Sequence, residues 1–150
     1  MKYKTFFSIL FLITFSTLYS QQNNKSSIII KDSWTRPTMT HMNSAIYFTV
    51  VNSGSQADTL LDVESKVADI VQVHESFKRG NDQMGMRQVD FVAIPPNASV
   101  VFKPGSYHVM LIDMQQDVKA NSVIDAVLTF KHAGKIKMSA KAKETMNTEN

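Results

Sequence analysis

The stretch YHVMLIDM, residues 107–114, carries an imidazole and a thioether two positions apart. Side chains alternate between the two faces of a β-strand, so His108 and Met110 would share one face while Val109 and Leu111 occupy the other. At a rise of about 3.4 Å per residue, the Cα atoms of His108 and Met110 would lie roughly 6.8 Å apart. Both side chains could therefore bind a single metal ion placed between them.

Two other segments offer ligands of the same kinds. In DIVQVHE, residues 69–75, His74 lies on the face opposite the two valines. In QMGMRQV, residues 83–89, Met84 and Met86 share a face. One residue from each segment would complete a set of two histidines and two methionines. Alternation alone leaves open which of the two methionines belongs to it.

The chemistry of such a set favours one metal. Thioethers are soft, neutral ligands that suit Cu(I), whereas zinc prefers thiolate, imidazole and carboxylate, and calcium and magnesium prefer oxygen. The set adds no negative charge, which suits a monovalent ion. Only the imidazoles would make the affinity depend on pH, because thioethers need no deprotonation. These properties fit transport or delivery of Cu(I) better than catalysis.

The composition excludes several classes of function. The chain has no cysteine and nine methionines. A disulfide framework, thiol redox chemistry and a blue-copper electron-transfer site, which needs a thiolate, are therefore excluded. The sequence also lacks a nucleophile elbow and a paired-carboxylate signature. We therefore do not expect an enzyme.

The N-terminus has the layout of a secretory signal peptide. Lys2 and Lys4 precede an apolar stretch (6–18) and then small and polar residues. We predict a signal peptide over 1–20, cleaved near Ser20, and export to the periplasm. A retained N-terminal membrane anchor is the alternative. The apolar stretch is short for a membrane span, which needs roughly 20 residues, so no stable span is expected after cleavage.

The charge balance argues against polyanionic partners. The chain has 16 Lys and Arg against 13 Asp and Glu. Loss of the two signal-peptide lysines leaves 14 basic residues against 13 acidic ones. So small a net charge gives no electrostatic footprint for nucleic acid or for an anionic membrane surface.

The rest of the chain is predicted to be all-β. Segments rich in β-branched and aromatic residues alternate with turn clusters such as PPNAS, KPGS and HAGK. The predicted strands cover residues 27–34, 44–52, 58–65, 68–76, 84–94, 98–103, 107–114, 122–131 and 135–141. Short strands at this spacing predict a single antiparallel β-sandwich or closed sheet. We assign the domain to 21–140, followed by a frayed polar tail over 141–150, and expect a monomer.

The order and spacing of the candidate ligands resemble a known motif. Periplasmic copper chaperones of the PCu(A)C family carry the pattern H(M)X10MX21HXM. Here ten residues separate Glu75 from Met86, and twenty-one separate Met86 from His108. The surroundings are also similar, with W-x-R-P at 34–37, AIYFTVVNSG at 45–54 and KPGSYHVML at 103–111.

The resemblance implies a fold, a site and a role. The fold would be a cupredoxin-like antiparallel β-sandwich with Greek-key connections. The Cu(I) ligands would be His74, Met86, His108 and Met110. The role would be delivery of copper to a recipient such as the CuA centre of cytochrome c oxidase. Glu75 departs from the family pattern, because the motif allows a methionine there.

Three alternatives remain open at this stage. Met84 is a rival of Met86, either as a ligand or as a neighbour of the ligands. The loop MTHMN holds Met39, His41 and Met42, which form either a secondary or transient copper site or a polar loop with incidental methionines. The whole protein could also be a secreted β-sandwich scaffolding or adhesion module without metal, whose methionines only pack.

Overall fold

All regular secondary structure in the described part of the chain is β. The computed structural model describes residues 27–80 and 83–144. Its strands are β1 (Ile28–Thr35), β2 (Ser44–Asn52), β3 (Asp58–Glu64), β4 (Ala68–Lys78), β5 (Met84–Gln88), β6 (Val92–Ile94), β7 (Ala98–Phe102), β8 (Tyr107–Met114), β9 (Val123–Phe130) and β10 (Gly134–Ala142). The predicted all-β class is confirmed. The predicted signal peptide, 1–20, lies outside the described residues.

Strands β9 and β10 show why these segments are extended. Every second side chain of the pair is apolar and buried, and the residues between them are mostly polar and exposed. The buried ones are Ile124, Ala126, Leu128, Phe130, Met138, Ala140 and Ala142. This period of two fits a strand with one face on the core and one face in water. No helix long and apolar enough to cross a membrane occurs between residues 27 and 144, leaving aside 81–82.

The strands form one curled sheet in the order β5-β4-β8-β2-β1-β10-β9-β3-β6, with β7 paired to β2. The pairs are antiparallel except β1 with β10, which is parallel. Strand β8 lies between β4 and β2, and β9 lies between β10 and β3. Such non-sequential neighbours are what Greek-key connections produce.

The sheet closes on itself through β2 and through its two ends. The first residues of β2 pair with β8, and its later residues pair with β7. Strand β3 packs against β4, and β6 packs against β2 and β7. The enclosed core includes Phe48 and Phe102, whose stacked rings have centroids 4.3 Å apart. The result is a sandwich in which the second face of β4 and β8 is turned away from the core.

Two predicted boundaries differ from the structure. The segment 84–94, predicted as one strand, is divided into β5, which pairs with β4, and β6, which pairs with β3. The chain crosses between opposite ends of the strand order at this point, so one straight strand cannot serve both partners. At the C-terminus, Lys141 and Ala142 belong to β10 rather than to the tail, because the Ala142 backbone bonds to Ser122 and to Asn121. Residues 145–150 of the predicted tail lie outside the described residues.

Asp58 fixes the turn between β9 and β10 from inside the protein. Its carboxylate is buried and accepts hydrogen bonds from the backbone N–H groups of Thr59, His132 and Ala133, at 2.7–2.9 Å. A carboxylate that accepts several backbone N–H bonds is well compensated for its burial. The contact ties the start of β3 to the β9–β10 turn.

We predict that Asp58→Ala destabilises the protein. The change leaves partly buried backbone donors without this acceptor, which costs about 1–3 kcal/mol for each group that water cannot reach. The free energy of unfolding, measured by urea titration, should fall by about 2–4 kcal/mol. Asp69→Ala, at an exposed position of β4, is the matched control and should change it by no more than about 0.5 kcal/mol. An equal loss of unfolding free energy in the two variants would contradict this structural role of Asp58.

Candidate metal centre

His74 and His108 face each other across the β4–β8 pair. They are directly opposed in the antiparallel register, and their ring centroids are 5.9 Å apart. Directly opposed residues project from the same face of a sheet. Val73 and Val109, which neighbour the two histidines in sequence, are buried in the core on the reverse face. The two imidazoles therefore lie together on the face turned away from the core.

Met110 lies on the same face, one step along β8. It is opposed to Gln72, which precedes His74 by two residues on β4. The side chain of Met110 is half-buried, and it neighbours the small Ala45 of β2 in the register. The predicted pair of imidazole and thioether on β8 is thus placed beside the second histidine.

Strand β5 places Met86 on this face too, at the opposite side of the histidines. Met86 is opposed to Ser76, and Met84 is opposed to Lys78. Ser76 is two residues from His74, whereas Lys78 is four residues away. Both methionines are exposed, by 55% for Met84 and 60% for Met86. Met86 is therefore the nearer of the two, and Met84 lies one step farther out on the hairpin.

His74 is the centre of the arrangement. It is opposed to His108 and is the diagonal neighbour of both Met86 and Met110. Diagonal neighbours on a sheet have Cα atoms roughly 7–8 Å apart, a distance that long side chains can bridge. The fold thus brings the four residues His74, Met86, His108 and Met110 from three strands onto one face.

His108 is held with one ring nitrogen ready to bind a metal. Its side chain is buried, and Nδ1 lies 3.0 Å from the backbone carbonyl oxygen of Ser106. Because a carbonyl oxygen only accepts, Nδ1 must carry the hydrogen. In the neutral ring the lone pair is then on Nε2. A second ring nitrogen bonded to a carbonyl is the usual way in which a ligating histidine is oriented.

His74 is engaged by Gln72 in the metal-free arrangement. The Nε2 atom of His74 lies 3.0 Å from Oε1 of Gln72, so Nε2 donates and the lone pair is on Nδ1. A metal ion can therefore reach this ring in two ways. It can bind at Nδ1 with the Gln72 contact kept, or at Nε2 after that hydrogen bond is broken.

Burial and the second histidine both act on the protonation of His74. Removal from water lowers the pKa of His74 below its ordinary value of 6.5, and repulsion from His108 lowers it further. A lowered pKa favours the neutral imidazole at neutral pH. The neutral ring is the form that binds metal ions.

An aromatic wall closes the β2 side of the centre. The ring centroid of Tyr47 lies 6.5 Å from that of His108, and Trp34 stacks on Tyr47 at 4.4 Å. Arg36 lies over the same tyrosine ring, 6.0 Å from its centroid. A bulge in β1, where Asp32 has φ 54°, brings Trp34 into register with Tyr47. Trp34 and Arg36 of the W-x-R-P segment thus pack on the tyrosine that lies beside His108.

Glu75 points away from the candidate ligands. It follows His74 in β4 and therefore projects from the other face. Its carboxylate accepts two hydrogen bonds from Arg87, at 3.0 Å from Nε and 2.6 Å from Nη2. Arg87 in turn lies over the ring of Phe77. The negative charge beside the motif is thus neutralised away from the metal-binding face.

The loop residues do not join this centre. Met39, His41 and Met42 lie between β1 and β2, and the backbone of the loop bonds to Met114 at the far end of β8. Met114 itself is fully buried in the core, as expected for a packing residue. It lies four positions after Met110 in the sequence, or about 13 Å along the strand.

Sequence reasoning did not identify the groups that hold the ligands in place. Alternation puts Gln72 on the same face as His74, but the hydrogen bond between them depends on side-chain conformation. Tyr47 belongs to the strand SAIYFTVVN, in which the four consecutive residues from Ala45 to Phe48 are all apolar, so alternation does not show which face it occupies. Only the register of β2 with β8 and β1 shows that its ring lies between Trp34 and His108.

Comparison with known proteins places the chain in a family. Residues 28–142 match the model of the LpqE-like lipoprotein family. The chain belongs to this family. Protein RP573 of Rickettsia prowazekii (strain Madrid E) is 34% identical over 104 residues, which are 65% of this chain and 56% of that protein. The chain thus spans about half the length of this curated relative.

Solved structures share the fold. The copper-bound PCuAC domain from PmoF2 has a TM-score of 0.66 at 26% identity, covering 79% of this chain and 93% of that domain. The Cu(I) form of DR1885 from Deinococcus radiodurans has a TM-score of 0.61 at 16% identity, covering 85% and 87%. At that identity the second likeness shows the fold alone. The predicted cupredoxin-like β-sandwich is confirmed.

We predict that the charge of His108 is one cause of the lowered pKa of His74. His108→Gln removes that charge but keeps a side chain of similar bulk, so the pKa of His74 should rise toward 6.5. NMR titration of the His74 ring protons in the metal-free protein measures the change. His132→Gln, in the β9–β10 turn, is the control and should leave the His74 titration unchanged. A His74 midpoint at or above 6.5 in the unmodified protein would refute the prediction.

Proposed function

We propose that the protein is an exported, non-enzymatic copper chaperone that binds one Cu(I) ion and passes it to a recipient protein. The ligands are His74, Met86, His108 and Met110. The observation that carries the proposal is the convergence of these two imidazoles and two thioethers on one face of β5, β4 and β8. The likeness to a copper-bound PCuAC domain supports it.

The donor set favours Cu(I) over the other common metal ions. Two thioethers and two neutral imidazoles are soft and uncharged, which suits a monovalent ion. Zinc sites combine imidazole with thiolate, carboxylate or further imidazole rather than with thioether, but this chain has no cysteine, and Glu75 is paired with Arg87 on the other face. The part of the chain that the structure describes also contains no cluster of three or more His, Asp and Glu residues suited to a metal. Cu(I) is thus the ion that this set holds best.

The exposure of the ligands indicates how copper is released. His108 is buried and Met110 is half-buried, whereas Met86 is 60% exposed on the terminal strand of the sheet. A ligand from a recipient protein can therefore replace Met86 first, while the other three ligands still hold the ion. The exchange substitutes one Cu(I) ligand for another and requires no change of oxidation state. A recipient with a thiolate-rich centre, such as the CuA centre of cytochrome c oxidase, would complete the transfer.

We predict that Met110 is required for tight binding of Cu(I) and that Met84 is not. Titration against a competing Cu(I) chelator should give a high-affinity equivalent for the unmodified protein. Met110→Leu keeps the side-chain volume but removes the sulfur. It should raise the Kd for this Cu(I) equivalent tenfold or more, which is about 1.4 kcal/mol of binding free energy. Met84→Leu, on the same face, is the matched control and should change the affinity less than twofold. A protein that binds no Cu(I) at this site would instead support a scaffolding or adhesion module.

We also predict that Met86, and not Met84, supplies the second sulfur ligand. X-ray absorption of the protein loaded with one Cu(I) should show two sulfur and two nitrogen scatterers. Met86→Leu should reduce the sulfur count to one, since the register places Met86 nearer to His74. Met84→Leu should leave it at two. The reverse pattern would transfer the ligand role to Met84, and a shell dominated by oxygen would overturn the Cu(I) site.

A further inference from the structure

The loop between β1 and β2 carries a second group of soft ligands. Met39 is 72% exposed and Met42 is 59% exposed, and between them lies His41 with a side chain that is 78% exposed. These side chains contribute nothing to the hydrophobic core. All three side chains are therefore accessible to an ion from solution.

A hydrogen-bonded turn brings the two methionines together. The backbone N–H of Met42 donates to the carbonyl of Met39 at 3.2 Å, so the residues 39–42 form a β-turn. His41 occupies the third position with φ 62°, a left-handed conformation. The first and last Cα atoms of a β-turn lie less than about 7 Å apart. The thioethers of Met39 and Met42 can therefore meet on one ion.

The histidine of this turn is oriented as metal-ligating histidines are. Nδ1 of His41 lies 2.8 Å from Oδ1 of Asp113. The carboxylate accepts, so Nδ1 carries the hydrogen and, in the neutral ring, Nε2 holds the lone pair. A carboxylate bonded to the second ring nitrogen fixes the tautomer and raises the basicity of the ligating one. Asp113 thus fixes the tautomer of His41 in the same way as the Ser106 carbonyl fixes that of His108.

The turn is also fixed to the rest of the fold. The N–H of His41 donates to the carbonyl of Met114 at 2.7 Å, and the carbonyl of Met42 accepts from the N–H of Met114 at 3.0 Å. The backbone N–H and the hydroxyl of Thr40 both donate to Asp117, at 2.9 and 2.8 Å. Ligands presented by an anchored turn lose less conformational entropy on binding than ligands on a free loop.

We propose that Met39, His41 and Met42 form a second Cu(I) site, in which two thioethers and Nε2 of the imidazole hold the ion in three-fold coordination. The set is soft, like that of the first site, and so selects the same kind of ion. Its anchor point on Met114 is about 13 Å along β8 from Met110, so the two sites share no ligand. The site does not depend on the proposed chaperone function, because it needs none of the residues on β4 and β5.

Methyl NMR of the methionines tests the second site separately from the first. The full-length protein, labelled at the methionine methyl carbons, is titrated with Cu(I) under anaerobic conditions. We expect a second equivalent of Cu(I) to shift the methyl signals of Met39 and Met42 and the ring signals of His41. The signals of Met84 and the buried Met114 should not move. Because each methyl is read individually, failure of the first site would not hide binding at the turn.

Two variants complete the test. The double variant Met39→Leu/Met42→Leu should lose the second equivalent and keep the first. Asp113→Asn preserves a residue type that tolerates the left-handed conformation at this position, where φ is 54°, but removes the charge. It should lower the affinity for the second Cu(I) equivalent about tenfold or more, the usual effect of losing the carboxylate partner of a ligating histidine. Methyl signals of Met39 and Met42 that stay in place, or a second equivalent that survives the double variant, would overturn the proposal.

Discussion

The register between β4 and β8 is the constraint on which the candidate metal centre depends. It sets His74 opposite His108 and Gln72 opposite Met110. A slip of one residue would send one histidine to the other face of the sheet. The reverse face prevents this slip, because Val73, Val109 and Leu111 are buried there in the core. The hydrophobic core thus determines the position of ligands that it does not touch.

The alternation of side chains between the two faces of the sheet also determines where the charge beside His74 lies. Glu75 directly follows a proposed ligand, yet its carboxylate lies on the reverse face in a double hydrogen bond with Arg87. The four candidate donors on the ligand face of β5, β4 and β8 are all neutral, and the aromatic rings of Tyr47 and Trp34 adjoin them. An uncharged, partly desolvated site penalises a divalent ion more than a monovalent one, since the cost of removing charge from water rises steeply with charge. Strand alternation would therefore contribute to the selectivity of the proposed site for a monovalent ion as well as to the position of its ligands.

Much of the fold and part of the centre could be predicted from the sequence. Alternation defined most of the strands and put His108 and Met110 on one face, because side-chain direction in a strand is a local property. The division of 84–94 into β5 and β6 was missed, since its apolar residues continue through the crossing and only the pairing partners change. That Met86 lies nearer to His74 than Met84 does also follows only from the register of β5 with β4. Pairing between distant strands is the information that local patterns lack.

The edges of the sheet then indicate how the proposed centre would both hold and release a Cu(I) ion. On the β2 side, Tyr47 and Ala45 are buried beside the candidate ligands. On the other side, Met86 belongs to β5, which ends the strand order and pairs with β4 alone. Exposed terminal strands open at a lower free-energy cost than central ones. If Met86 is a ligand, its loss would therefore need no disruption of the core, and exchange of the proposed ion would begin at this edge while His108 and Met110 remain in place.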